Sequence, residues 1–191
     1  MSIIDYFAMN VVPKMYRGKG ALHPAATGEL GFGVRCVREY DVNIFFIQGD
    51  RHLVAIDAGY KNYPRLGEKC RRIGVDPADV TDLFLTHADP DHAGGLDARC
   101  VDPFKNARIY LGKLEENYLT NTWHRKKIGP IGLKNPVRIS KEYRLLEDAS
   151  FFSPPSAKAM LVAVSMSVYL AFNIRYSSFI CRMVSLKSLI F

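Results

Sequence analysis

One ten-residue segment, residues 86–95 (THADPDHAGG), constrains this chain more than any other. It places two histidines and two aspartates within six residues, directly after the short apolar run 83–85. Imidazoles and carboxylates bind divalent metals, so an apolar run that leads into such a segment predicts a strand ending in a metal-binding loop. The candidate ligands are His87, Asp89, Asp91 and His92.

The spacing of the candidate ligands predicts how they divide between two centres. In extended backbone, alternate side chains point to the same side, so His87, Asp89 and Asp91 are expected to face one side. His92 reaches a second centre only if the chain turns there, and the glycine pair 94–95 makes a turn easy.

Two other interpretations of the segment are weaker. A solvated turn accounts for Asp-Pro-Asp, but it gives no reason for histidines on both sides. The Asp-x-Asp pair of metal-dependent sugar transferases holds a nucleotide diphosphate through a hard cation. That motif needs no flanking histidines, and the chain shows no nucleotide-binding glycine loop. The pattern therefore favours direct metal binding.

The preceding residues predict a hairpin and then a strand–helix–strand unit that ends in the metal-binding loop. A strand, a helix and a second strand in this order imply a parallel crossover. Asp57 and His87 follow the two parallel strands, at the edge where open α/β sheets place ligands. The predicted elements are strands at 43–47 and 53–56, a helix around 66–73 and a strand at 83–86.

The segment resembles the signature loop of the metallo-β-lactamase-fold hydrolases, H-x-H-x-D-H, with Asp89 at the place of the middle histidine. Carboxylates at that place are familiar in the superfamily, and flavodiiron proteins carry Glu there. An oxygen ligand makes the site harder, so manganese or iron becomes an alternative to zinc. The D-x-G sequence that begins at Asp57 matches the family aspartate that steadies the metal loop.

The resemblance implies an α+β fold, the αββα sandwich of the metallo-β-lactamases, and a divalent-metal cofactor, zinc in the first place. It implies that His87 and Asp89 hold one ion and that Asp91 and His92 face a second. It also implies a hydrolase that activates a metal-bound water to cleave an ester, lactone, thioester, amide or phosphoester. Asp91 is then the catalytic residue that handles the proton.

Charge and cysteine content limit the partners and the compartment. The net charge is +7, but residues 1–150 contribute only +3, from 22 basic and 19 acidic residues. The charge therefore predicts no specific nucleic-acid partner, and we expect a small-molecule substrate. Four cysteines without a C-x-x-C pair are typical of reduced thiols, and the first residues lack an apolar signal-peptide core. Both features favour a cytoplasmic protein.

The composition changes near residue 150. We divide the chain there into a partial metallo-β-lactamase-like domain, residues 1–150, and an atypical apolar, Ser-rich tail, residues 151–191. The tail holds no Asp, Glu, Gly or His, whereas all 14 glycines and all 19 acids precede it. Its foreign composition favours truncation or a reading-frame shift near residue 150. Buried strands are one alternative, and a membrane-associating segment at 159–174, shorter than the ~20 residues that span a bilayer, is the other.

The family pattern places two further histidines downstream of the loop, yet no histidine follows His124. A catalytic zinc site normally has three protein ligands, and two per ion are too few. The second hypothesis is therefore a catalytically impaired remnant or binding protein. The sequence predicts no oligomeric state.

Overall fold

A seven-stranded mixed sheet forms the framework of the protein, seen in a computed structural model that describes residues 24–125, 127, 128 and 130–146. The strand order is β1-β2-β3-β4-β5-β6-β9, and β7 pairs with β8 in a separate hairpin. The strands are β1 (Gly28–Gly31), β2 (Val34–Glu39), β3 (Val42–Gln48), β4 (Leu53–Ile56), β5 (Asp82–Leu85), β6 (Arg108–Gly112), β7 (Lys127–Ile128), β8 (Ile131–Gly132) and β9 (Tyr143–Leu146).

The pairing of neighbouring strands changes once across the sheet, from antiparallel to parallel. Strands β1 to β4 form an antiparallel meander, whereas β4, β5, β6 and β9 run parallel. The helices are α1 (Leu66–Arg72), α2 (Pro90–Ala93) and α3 (Lys113–Leu119), with 3-10 turns at Pro77–Asp79 and Gly94–Leu96. Because the parallel strands end at one edge, the segments that follow β4 and β5 come together there.

Most elements predicted from the sequence are confirmed. The 43–47 and 53–56 runs lie in β3 and β4, which pair as the expected hairpin, and β5 runs parallel to β4. The predicted helix corresponds to α1 and stops before Gly74, whose φ of 65° is left-handed. The short apolar run at 137–139 also has strand character in the sequence, but only an isolated bridge between Asp97 and Ile139 forms there.

Both faces of the central strands are buried. One face carries the row Phe46, Ala55, Leu83 and Ile109, which belongs to the main hydrophobic cluster with α1 and α3. The other carries Phe45 and Ile56, 2% and 0% exposed, followed by the stacked rings of Phe84 and Tyr110. Apolar side chains on successive positions explain why these strands read as continuous hydrophobic runs.

The segments considered for membrane contact and for the tail fall outside the described residues. All described residues lie within the unit Met1–Ser150. Among them, no helix is long and apolar enough to cross a membrane. The assignment of residues 151–191 as an atypical tail, including the segment 159–174, stays a prediction.

Candidate metal centre

The candidate centre lies at the carboxyl ends of β4 and β5, as the topology predicted. Asp57 is the first residue after β4, and Thr86 and His87 follow β5. Oδ1 of Asp57 accepts hydrogen bonds from the Thr86 backbone N–H and hydroxyl, each at 2.8 Å. These bonds join the ends of the two parallel strands directly beneath the metal-binding loop.

Three of the four candidate ligands form one cluster. His87, Asp91 and His92 each offer a ligand atom, and these atoms lie within 4.8 Å of one another. The two imidazole centroids are 4.0 Å apart, and Oδ2 of Asp91 lies 3.6 Å from Nε2 of His92. Two nitrogens and one oxygen are a donor set that a catalytic zinc ion accepts from protein, so the cluster fits a divalent cation.

This grouping differs from the one that alternation predicted. Asp89 is still extended, with φ and ψ of −68° and 152°, but Pro90 begins the one-turn helix α2. Proline is favoured at the first helical position because its φ is already fixed near the helical value. The helical turn rotates Asp91 and His92 towards His87. The alternation of side chains in extended backbone therefore does not determine which of them meet.

Hydrogen bonds orient both imidazoles. Nδ1 of His92 lies 2.7 Å from Oδ2 of Asp57, which leaves Nε2 directed at the cluster. Nδ1 of His87 lies 2.9 Å from the Thr86 hydroxyl, and its Nε2 is likewise left for a ligand. Metal-binding histidines commonly donate their second ring N–H to a carboxylate in this way. Asp57 itself has a left-handed φ of 65°, which these bonds hold in place.

The two histidines differ in their electrostatic surroundings. Burial lowers the pKa of His92, but the charge and hydrogen bond of Asp57, followed by Asp91, outweigh it and raise that pKa to about 9. Burial and the neighbouring His92 lower the pKa of His87. The carboxylates around His92 therefore favour positive charge at this point of the loop.

Backbone contacts attach the metal loop to the D-x-G segment. The Ala58 N–H donates to the His92 carbonyl at 2.7 Å, and the Gly95 N–H donates to the Gly59 carbonyl at 3.0 Å. A Cβ on Gly95 would overlap the Ala58 carbonyl oxygen. The second glycine of the pair is thus required for close approach of the two segments.

Asp89, the fourth predicted ligand, lies beside the cluster and has cationic and hydroxyl neighbours. Its Oδ2 is 3.5 Å from Nε2 of His87 and 3.3 Å from Nη1 of Arg125. The Tyr118 hydroxyl also bonds to Asp89, and burial followed by this carboxylate raises the pKa of Tyr118. Arg125 forms a second ion pair with Glu115.

Three residues that the sequence did not single out, Glu39, Asp41 and Tyr60, surround the D-x-G segment. Oε2 of Glu39 accepts the Tyr60 N–H at 2.7 Å, and the Tyr60 hydroxyl donates to Asp41 at the same distance. Burial raises the pKa of Glu39 to about 8 although the Tyr60 hydrogen bond opposes it. The signal was an acid on each side of the tight β2–β3 turn, which this topology brings to the edge where β4 ends.

The remaining described histidines are not in the cluster. His52 lies at the start of β4, where Nδ1 is 3.3 Å from both the Thr81 hydroxyl and an Asp82 oxygen. His124 packs against Gly132 of the β7–β8 hairpin. His23 falls outside the described residues. No further histidine of the described segments joins His87 and His92.

Solved structures show where this fold recurs. The chain is similar to the metallo-β-lactamase MIM-1 from Novosphingobium pentaromativorans, with 22% identity and a TM-score of 0.52 over 76% of this chain and 52% of that one. The subclass B3 enzyme MEM-A1 from a soil metagenome library is 18% identical, with a TM-score of 0.51 over 70% of this chain and 50% of that one. BJP-1 of Bradyrhizobium japonicum, also of subclass B3, is 17% identical, with a TM-score of 0.50 over 66% of this chain and 47% of that one.

At these identities the likeness establishes the fold, a metallo-β-lactamase-like mixed sheet with few helices. The chain spans about half the length of the solved structures it matches. No curated protein sequence matches it. The model of the metallo-β-lactamase superfamily matches residues 37–156, more than half of the 191 residues. The chain therefore belongs to the metallo-β-lactamase superfamily.

Proposed function

We propose that this protein is a metal-dependent hydrolase acting on a small molecule with an ester, lactone, thioester, amide or phosphoester bond. The observation that carries the proposal is the cluster of His87, Asp91 and His92, whose ligand atoms lie within 4.8 Å of one another. Its place at the carboxyl ends of parallel strands is where ligands bind in open α/β sheets. Superfamily membership supplies the reaction class.

A divalent cation is the cofactor, with zinc the first candidate and manganese or iron the alternatives. His87 and His92 would supply nitrogens, and Asp91 would supply an oxygen. Such a cation, when bound, lowers the pKa of water to about 7 and polarises the scissile group. Asp89, which the sequence also predicts as a ligand, is proposed here only as a neighbour of this cluster.

The protein's own groups prepare the site for this chemistry. Asp57 holds Nδ1 of His92, so that the imidazole keeps one orientation and presents Nε2. Thr86 does the same for His87. Asp91 has a side chain that is 32% exposed, and its carboxylate can accept a proton from the substrate side. We propose Asp91 as the catalytic residue on this basis.

A second candidate is a metal-binding protein without turnover. All three clustered ligands come from one loop, residues 87–92, and no described residue from another segment joins them. Such a site holds an ion from one side and leaves the other coordination positions to solvent. This arrangement suits binding as well as hydrolysis.

Hydrolysis of a chromogenic ester and a lactone by the metal-loaded chain tests the proposal. Asp91→Asn should abolish activity, because it removes a ligand and a proton acceptor together. His124→Ala is the matched control and should keep most activity, since His124 packs on Gly132 outside the cluster. Equal losses in the two variants would contradict the assignment. A stable bound ion without any hydrolysis would favour the second candidate.

For the compartment we propose the cytoplasm. The three described cysteines, Cys36, Cys70 and Cys100, are free thiols, and the first two are buried. Reduced cysteines are typical of cytoplasmic proteins.

A further inference from the structure

Arg125 lies between two acidic side chains at the edge of the metal loop. One guanidinium nitrogen is 3.3 Å from Oδ2 of Asp89, and the other pairs with Oε1 of Glu115. The guanidinium carbon also lies 4.9 Å from the centroid of the Tyr118 ring. Three partners fix Arg125, and its side chain is only 27% exposed.

The same group of residues holds the backbone of the loop. Oε2 of Glu115 accepts the Ala88 N–H at 3.0 Å, and the Asn135 amide donates to the Ala88 carbonyl at 2.7 Å. Ala88 stands between His87 and Asp89, so these bonds fix the direction in which Asp89 leaves the loop. Its carboxylate is consequently directed at Arg125 and Tyr118 as well as at His87.

Two ions would have to divide the ligands, with His87 and Asp89 on one ion and Asp91 and His92 on the other. The ion on Asp89 would then share that carboxylate with a guanidinium nitrogen that lies 3.3 Å from Oδ2. A divalent ion and a guanidinium on the same carboxylate are like charges in close proximity, and they disfavour each other most strongly where water is scarce. Asp89 is 8% exposed, so solvent screens the repulsion weakly. Arg125 already supplies the positive charge that this carboxylate needs.

We propose that the ion pair with Arg125 keeps Asp89 from binding a metal ion. The chain therefore binds one divalent ion, on His87, Asp91 and His92, instead of two. Arg125 is thus a residue that determines metal stoichiometry. This inference rests on the proposed metal site, but it is tested by counting ions and does not require turnover.

The test is equilibrium dialysis of the full chain against Zn²⁺, followed by elemental analysis, with Co²⁺ absorbance as an independent count. The wild type should hold one ion. Arg125→Met keeps much of the side-chain volume but removes the charge, and it should raise the count to two. Adding Asp89→Asn to that variant should return the count to one. Arg108→Met is the matched control, because Arg108 also pairs with a buried aspartate, Asp82, at the opposite end of the parallel strands.

A single substitution in the otherwise unchanged chain keeps the proposal testable if Arg125→Met does not fold. Asp89→Asn should change the affinity for the one ion by less than about fivefold, the size of an effect exerted through charge alone. Asp91→Asn should weaken it at least about tenfold. Two ions in the wild type, or equal losses in the two asparagine variants, would overturn the proposal. No bound ion at all would remove the proposed metal site itself.

Discussion

Asp57 joins the end of β4 to the metal loop through both of its carboxylate oxygens. Oδ1 binds the Thr86 backbone and hydroxyl, and Oδ2 binds Nδ1 of His92. A residue in this position influences metal binding without touching the ion, because it sets the orientation and basicity of a ligand.

Asp57→Asn should lower the affinity for Zn²⁺ by about 10- to 100-fold, the usual effect of removing such a partner. Asparagine tolerates the left-handed φ of 65°, so the loss is expected to come from the missing charge and not from the backbone. Competition with a chromogenic chelator measures the affinity. Asp76→Asn is the control, since either side chain can accept the Ala78 N–H. Unchanged affinity in Asp57→Asn would contradict the role.

Glu39 makes the stability of the fold depend on pH. Burial raises its pKa from 4.5 to about 8 in the folded state, so below pH 4.5 it is protonated in both the folded and the unfolded chain. Between these values the unfolded chain ionises first, and the resulting preference for the unfolded state grows. The contribution of Glu39 to stability is therefore complete below pH 4.5 and lost as the pH rises through 8.

Glu39→Gln should remove this dependence, because the amide stays neutral and can still accept the Tyr60 N–H. We expect the variant to gain stability over the wild type between pH 5 and pH 8, by on the order of a few kcal/mol. Urea unfolding of both proteins at several pH values gives the comparison. Parallel pH profiles would show that Glu39 is ionised in the folded protein.

Among the elements, α2 with its following glycines decides the geometry of the centre. The turn at Pro90 gathers His87, Asp91 and His92, and the glycine pair lets this turn lie against the D-x-G segment. The arrangement depends on close backbone contact more than on side-chain packing.

Gly95→Ala should therefore disturb stability and metal binding together. The added methyl group meets the Ala58 carbonyl oxygen, and such overpacking costs about 1–3 kcal/mol. Because the displaced loop carries His92, the affinity for Zn²⁺ should fall as well. Gly28→Ala in β1 is the control, since a Cβ there meets nothing within 4 Å. Thermal unfolding and metal titration of both variants distinguish the cases, and equal behaviour would argue against a close-approach role.

The sequence predicts the elements whose signal is local. The apolar runs in β3, β4 and β5 and the spacing in α1 are visible within a few residues, and so is the density of ligands at 87–92. Strands β1 and β2 were missed because Glu29, Arg35 and Arg38 break the apolar pattern at the edge of the sheet.

Contacts between distant segments could not be predicted in this way. Arg125 meets Asp89 across 36 residues, and Tyr60 meets Glu39 across 21. No local spacing indicates either pair, because the fold alone decides which charged side chains share a carboxylate or a backbone N–H. The grouping of His87 with Asp91 and His92 was missed for a related reason, since a single proline changed the local geometry.

At the scale of the whole molecule, the face of the sheet that carries Phe45, Ile47, Val54 and Ile56 bears on the tail hypothesis. The four side chains of this face are at most 9% exposed. Burial of such apolar area is the main favourable contribution to folding, so exposing this face to water would lower the stability of the fold.

The composition of residues 151–191 predicts that they have no evolved partner surface. A comparison of residues 1–150 with the full chain tests this prediction. If the tail arises from truncation or a frame shift, residues 1–150 alone should be no more soluble and no more stable than the full chain, because deletion adds no cover to the sheet. A membrane-associating tail predicts instead a soluble, folded fragment and a full chain that partitions into membranes. Limited proteolysis, fractionation and thermal unfolding of both proteins measure the difference. A soluble 1–150 fragment with a cooperative unfolding transition would contradict the truncation hypothesis, since an accidental tail leaves the remaining domain without the second half of its sandwich.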